Sequence, residues 1–224
     1  MRVPKMILLA IDTSGSGCYA AIHDTAGEVT LGKAGEDIGR GHAERLMDFV
    51  DEALANAGIE LGAVDRVAVT VGPGSFTGIR VGVAAARGLS LALGVPSVGI
   101  STLAAIAAGY RQGHPGTPVF VAVDAKRGEA YCQAFSAAGA PIGEAAVLSL
   151  DDAKAAAVAA GGAIVGSAST LLGGGDEGEA TAAVAIEMVA RLGALADPRA
   201  DRPKPLYLRG PDAKPQAGFA ITRA

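Results

Sequence analysis

Tryptophan is absent from this 224-residue chain and aromatic residues make up only 4% of it, although half of its residues are apolar. A core must therefore be built from Ala, Val, Leu and Ile. Cysteine is equally scarce. Cys18 and Cys132 are too few for a disulfide framework and suit a reducing compartment. Both lie in strand-like runs and read as small buried hydrophobes. The three histidines, His23, His42 and His114, stand far apart and in no His-x-x-His, His-x-x-x-His or Cys-pair spacing, which speaks against a zinc site. A basic excess is missing too, since the net charge is −4, so nothing general draws the chain to nucleic acid or anionic membranes. Only the short run from Met6 to Ile11 precedes Asp12, too little for a signal core, and no charge-free run reaches membrane-spanning length. The expectation is a cytosolic protein, long enough to bury one large core or two small ones.

What is present is a duplication. "LLAIDTSGSGCYAAIHDTAG" from Leu8 matches "FVAVDAKRGEAYCQAFSAAG" from Phe120, placing Asp12 on Asp124, Tyr19 on Tyr131 and Gly27 on Gly139. Each copy reads as an apolar strand ending in Asp, a polar turn, a second strand and a glycine turn. After the first hairpin come a third strand in "EVTLGKAGEDI", a helix in "HAERLMDFVDEALANAG" with Gly58 as its C-cap, a strand in "DRVAVTVGPG", a helix, the strand "VPSVGIS" and the helix "TLAAIAAGYRQG". The second half offers the hairpin, "AVLSL", the helix "DDAKAAAVAAGG", the strand "AIVGSAS" and the helix "TAAVAIEMVARLGALA". This pattern predicts two mixed α/β lobes, residues 1–110 and 117–224, divided at the glycine- and proline-containing 111–117. From Asp197 onward five prolines and six Lys or Arg stand against three Asp, predicting an extended tail. Its Arg199, Arg202, Lys204 and Arg209 could touch RNA phosphates, or Leu206, Tyr207 and Leu208 could pin it across its own second lobe.

The stretch "VGPGSFTGIRVGVAAARGLSLAL" from Val71 fails three motif tests. A Walker loop needs Lys after its last glycine, where Ile79 and Arg80 stand. The dinucleotide fingerprint needs glycine where Thr77 sits, and a nucleophile elbow needs glycines in place of Pro73 and Thr77. What remains is a strand-to-helix turn in which Ser75 or Thr77 caps the helix, either as a plain capped turn or with amides free to hold an anion. The helix that follows is apolar nearly all round, with Arg80, Arg87 and Ser90 as its polar side chains, and so calls for cover on more than one side. In the preceding helix Ala43, Leu46, Met47, Val50, Leu54 and Ala57 form a core stripe that Phe49, Ala53 and His42 widen. This wide arc meets either a neighbouring helix of the same lobe or another subunit. "GHAER" reads as a solvated helix start. Asp12, with Thr13 and Ser14 after it, could hold a metal-bound phosphate together with Asp124. Ala125, Lys126 and Arg127 replace the small hydroxyls in the second copy, which favours Asp12 as an acceptor for turn amides.

"ILLAIDTS", "GHAERL", "GPGSFTGIRVGVAAARGL", "VPSVGISTLAA", "VDAKRGEAY" and "KPLYLR" together resemble the TsaB (YeaZ) family of bacteria, of the actin-like ATPase superfamily. The resemblance implies two actin-like, ribonuclease H-like lobes and a role in making threonylcarbamoyladenosine next to the anticodon of tRNA. It implies a non-catalytic subunit that pairs with and activates the transferase TsaD, is joined by the ATPase TsaE, meets tRNA mainly through the complex, and forms a homodimer when alone. Thr102 and Ile106 fall where the catalytic paralogue carries metal-binding histidines, so no metal is expected, and ATP or ADP with Mg²⁺ only at the level of the complex. The pairing surface carried over comprises Leu46, Phe49, Val50, Ile79, Val83, Ala86 and Arg87. Asp12, Thr13 and Ser14 would be a vestigial nucleotide loop. The alternatives are an actin-like ATPase or phosphotransferase using Asp12 and a metal-dependent peptidase.

Overall fold

The computed structural model describes residues 5–175 and 183–209. The first half opens with an antiparallel meander of β1 (Ile7–Asp12), β2 (Gly17–Asp24) and β3 (Val29–Asp37). After α1 (His42–Ala57), the strand β4 (Arg66–Gly72), α2 (Phe76–Leu93) and β5 (Ser97–Ser101) complete a sheet of order β3-β2-β1-β4-β5, with β4 and β5 parallel to β1. The second half repeats the plan. The strands β6 (Val119–Lys126), β7 (Glu129–Phe135) and β8 (Pro141–Ser149) form the meander. Past α4 (Leu150–Ala160), β9 (Ala163–Val165) adds parallel to β6, giving the order β8-β7-β6-β9. The duplicated meander with parallel strands added beside its first strand is the α/β actin-like fold.

Strand β1 shows why the sheet is covered on both faces. Leu9 and Ile11 pack with α1 and α2, while Leu8 and Ala10 point to the other face and meet α5 (Ile186–Leu195). A strand buried on both faces reads as a continuous apolar run, as "ILLAI" does. Two helices cross over between the halves. Leu103, Ile106 and Ala107 of α3 (Thr102–Gly113) pack on Val119, Val121 and Val165 of the second sheet. Conversely, Ile186, Val189 and Ala190 of α5 pack on the first sheet. Arg66 fastens α5 there, its Nη1 donating to the carbonyls of Gly193 (2.9 Å), Ala194 (3.3 Å) and Ala196 (3.1 Å).

Several local expectations differ in detail. The β8 strand begins well before "AVLSL", at Pro141. The β9 strand is only three residues long, because Gly166 turns into positive φ where a Cβ would stand 2.4 Å from the Ala122 carbonyl oxygen. The last helix begins at Ile186, since Ala185 is extended, and residues 181–182 of the expected helix lie outside the described residues. The tail is extended as expected but crosses the first half rather than the second. Gly99 N–H donates to the Asp201 carbonyl (2.7 Å), Leu206 N–H to the Val71 carbonyl (2.8 Å), and the Arg80 Nε to the Tyr207 hydroxyl (2.8 Å). The free edge of β5 attracts it, because an unpaired edge offers backbone donors. Among the described residues of the tail, Arg209, ion-paired with Glu129, reaches the second half.

Candidate functional site: the interlobe cleft and the outer face of α2

Asp12 at the end of β1 and Asp124 near the end of β6 line one cavity of about 670 Å³. Asp12, at the end of β1, is buried, and one of its oxygens takes three donors. Oδ1 accepts from Ser14 N–H (3.0 Å), Ser14 Oγ (2.7 Å) and Thr70 Oγ1 (2.6 Å). Burial raises its carboxyl above the ordinary carboxylate value despite those donors. Thr13 is turned away from the cavity, its hydroxyl donating to the Gly78 carbonyl at 2.8 Å. Asp124 sits differently. Its N–H donates to Ser167 Oγ (3.0 Å), Oδ1 accepts from Lys126 N–H (2.7 Å) and Oδ2 pairs with Lys126 Nζ (2.7 Å). The lysine holds its carboxyl below the ordinary value. The one-residue bulge that places Lys126 there also shifts the register, so Tyr131 faces Val123 whereas Tyr19 faces Asp12.

The Gly-Pro-Gly turn closes on the Asp12 loop. Ser75 N–H donates to the Ser14 carbonyl (2.7 Å), and Ser75 Oγ caps α2 by accepting from Gly78 N–H (3.2 Å). Between the two residues offered as caps, the position falls to Ser75. These amides are already engaged, which favours the capped turn over an anion cradle. A Mg²⁺-bound nucleotide, implied by an actin-like fold, does not fit these residues. Oδ1 of Asp12 already takes three donors from Ser14 and Thr70, Asp124 is neutralised by Lys126, and the Ser75 and Gly78 amides of the turn are taken. Thr102 and Ile106, at the positions compared with metal-binding histidines, both line the cavity from α3. Among the described residues no group of three or more His, Cys, Asp or Glu could hold a metal ion.

The pairing residues carried over from the resemblance lie, all but Arg87, inside this chain's own core. Leu46, Phe49, Val50, Ile79, Val83 and Ala86 are all under 5% exposed and form one cluster with β1, β2 and β4. The wide arc of α1 is thus core packing against the sheet and α2, and its stripe lies further round than expected, leaving Ala43 and Met47 exposed. His42 is buried rather than solvated, its Nε2 within 3.2 Å of the Gly17 carbonyl. Of the seven, Arg87 alone is exposed.

What faces solvent is the other side of α2. This helix is long and apolar enough to cross a membrane, with a mean hydropathy of 1.3, yet only Gly78, Ile79, Gly82, Val83 and Ala86 are buried. Phe76 is 55% and Leu91 85% exposed. At 100° per residue Phe76, Arg80, Ala84, Arg87 and Leu91 fall within an arc of about 80°. At its start the Arg80 guanidinium lies 3.6 Å from the Phe76 ring centroid, and Tyr207 stands beside both, its ring 5.6 Å from that of Phe76. The sequence held one signal for this ribbon that the reading missed. Arg80 and Arg87, seven residues apart, mark the solvent side, so the apolar residues on their arc, Phe76, Ala84 and Leu91, are the available ones.

Comparison with known proteins agrees with this architecture. The family model "TsaD: tRNA N6-adenosine threonylcarbamoyltransferase" matches residues 28–172. The tRNA threonylcarbamoyladenosine biosynthesis protein TsaB of Haemophilus influenzae is 37% identical over 127 residues, which cover 57% of this chain and 52% of that protein. The matched region thus spans about half the length of that curated relative. An uncharacterised protein of Mycobacterium tuberculosis is 35% identical over 96% of this chain and 98% of its own. The solved structure of YeaZ from Pseudomonas aeruginosa superposes with a TM-score of 0.76 at 28% identity, covering 91% of this chain and all of that one. Strand order, duplicated hairpins and these matches together make the chain a member of the threonylcarbamoyltransferase-related family, on its TsaB/YeaZ branch.

Proposed function

We propose that this chain is a non-catalytic subunit of the machinery that installs threonylcarbamoyladenosine in tRNA. It works by pairing with and activating a TsaD-type transferase through the outer face of α2. The observation that carries this reading is the uncovered face itself: an 18-residue apolar helix with five buried residues, presenting Phe76, Ala84 and Leu91 on one arc with Arg80 and Arg87. Large apolar side chains exposed in a ribbon mark an interaction surface, and aromatic and Arg residues are enriched at binding hot spots. The buried Leu46, Phe49, Val50, Ile79, Val83 and Ala86 support that face from beneath, and Arg87 belongs to it directly. The cleft supports the non-catalytic reading, since the two carboxylates at the strand ends, Asp12 and Asp124, are engaged by the chain's own donors. The chain then acts in the cytoplasm, apart from membranes, as two lobes covering 1–110 and 117–224. A TsaE-type ATPase joins the pair, tRNA is met through the complex, and the same face closes on a second copy when the transferase is absent.

Size exclusion with light scattering tests the surface, using the chain alone and with its transferase. Burying a leucine side chain contributes about 1.5–3 kcal/mol, so Leu91→Glu should weaken both associations about tenfold or more while the fold is retained. Undiminished pairing by a folded Leu91→Glu variant would overturn the assignment of the surface.

A further inference from the structure

We propose that the cleft between the two sheets binds a small uncharged polyhydroxylated molecule, of monosaccharide or nucleoside size, and not a phosphorylated nucleotide. This is independent of the pairing role assigned to α2. The cavity of about 670 Å³ has the size of a small-molecule site. Its charge is wrong for an anion. The lining brings Asp12, Asp37 and Asp124 together with one lysine, Lys126, which Asp124 already holds through both carboxylate oxygens. A phosphate would face carboxylates with no unengaged cation among these residues.

What the lining offers instead suits hydroxyl groups. Asp37, an exposed carboxylate, has Ser16 as its hydrogen-bond donor at 2.9 Å and can accept further donors from a ligand. Ser167 contributes a hydroxyl at the rim. The decisive feature is Thr102, on the α3 wall of the cavity. It is 4% exposed, and its buried Oγ1 has no hydrogen-bond partner. A buried hydroxyl left unpaired is costly; Oγ1 is turned out of the open cavity as it stands, and a rotation of the Thr102 side chain about χ1 toward a ligand hydroxyl would remove that cost. Ile106, Val123 and Val184 line the same cavity with apolar surface, against which the flat face of a sugar or base can lie. Carboxylates and hydroxyls beside an apolar wall form the usual composition of a site for a neutral ring bearing hydroxyls.

The test is calorimetry on the full chain with adenosine, glucose and MgATP, repeated on Thr102→Val and Ser167→Trp. Ser167 is exposed at the rim, so the tryptophan occludes the cavity without entering the core. Retained circular dichroism in at least this variant keeps the test valid. We expect adenosine, glucose or both to bind at roughly millimolar or better, Thr102→Val to weaken binding about tenfold, Ser167→Trp to abolish it, and MgATP to bind more weakly than adenosine. Binding of adenosine alone would identify a base-dependent ligand, and binding of both probes hydroxyl recognition. Failure of both neutral probes at about 10 mM, tighter binding of MgATP, or binding that neither variant changes overturns the proposal.

Discussion

Alanine substituted for glycine at two positions of α2 should have opposite effects, and the difference measures how closely that helix approaches the Asp12 loop. Both Gly82 and Gly88 lie in the helix interior, where alanine is favoured by about 0.8–1.0 kcal/mol. A Cβ at Gly88 meets nothing within 4 Å, so Gly88→Ala should gain most of that increment. A Cβ at Gly82 would stand 2.3 Å from Thr13 Oγ1 and 3.3 Å from Val69 Cγ2. Ordinary carbon–oxygen contacts lie near 3.3 Å, so the fully buried Thr13 side chain must move by about 1 Å. That breaks its hydrogen bond to the Gly78 carbonyl, at about 1–3 kcal/mol for a buried hydroxyl left unpaired. Overpacking adds about 1–3 kcal/mol. Even the low ends of both costs exceed the propensity gain, leaving Gly82→Ala destabilised by about 1 kcal/mol or more and the two variants about 2 kcal/mol or more apart. Urea denaturation of the wild type and both variants, compared at constant slope, supplies the numbers. Equal stability of the two variants would refute the close packing of α2 on the Asp12 loop.

Three further outcomes follow from the same structure. Asp12 carries a raised carboxyl because it is buried, so the folded chain holds that proton above the pH where the unfolded chain releases it. The wild type therefore loses stability as pH rises through the window above the ordinary carboxylate value. Asp12→Asn, whose Oδ1 can keep the bonds to Ser14 and Thr70, should be more stable than wild type at pH 7 by urea midpoint, with the gap closing towards pH 4; a gap that widens on acidification would contradict this. Burial pushes the thiols of Cys18 and Cys132 up to about 11, so both should resist a thiol reagent at pH 8 until urea is added, and rapid labelling of the native chain would argue against their burial. Arg66→Met removes three charge-assisted bonds to the end of α5 and should cost about 1.5–3 kcal/mol, whereas an unchanged denaturation midpoint would mean that α5 is held by its apolar face alone.

The elements of this fold were largely legible because their causes are local. The continuous apolar run of β1 and β4, the Gly58 cap of α1 and the Ser75 cap of α2 all follow from neighbouring residues. Less legible was which partner each face meets. Phe49 and Val83 are apolar at helical spacing whether they face a sheet or another protein, and periodicity does not distinguish the two. The burial of six of the seven carried-over pairing residues shows this. The arginines of α2 do distinguish them, since a guanidinium fixes the solvent side. The path of the tail over β5 depends on an edge strand whose freedom is a property of the whole sheet order. The Asp124–Lys126 pair arises from a bulge, and the unpaired Thr102 hydroxyl arises where α3 crosses to the second sheet. Neither has a signature in the spacing of residues.

The most direct test of a partner role without chemistry of its own is a reconstituted threonylcarbamoylation of tRNA. It would contain the cognate transferase, a TsaE-type ATPase and threonylcarbamoyl-adenylate, with this chain omitted, added as wild type, or added as Asp12→Asn or Leu91→Glu. We expect no product from this chain without the transferase, stimulation of the transferase by wild type and Asp12→Asn alike, and loss of stimulation with Leu91→Glu. Product formed by this chain without the transferase, or stimulation abolished by Asp12→Asn and untouched by Leu91→Glu, would contradict it and return the chemistry to the cleft.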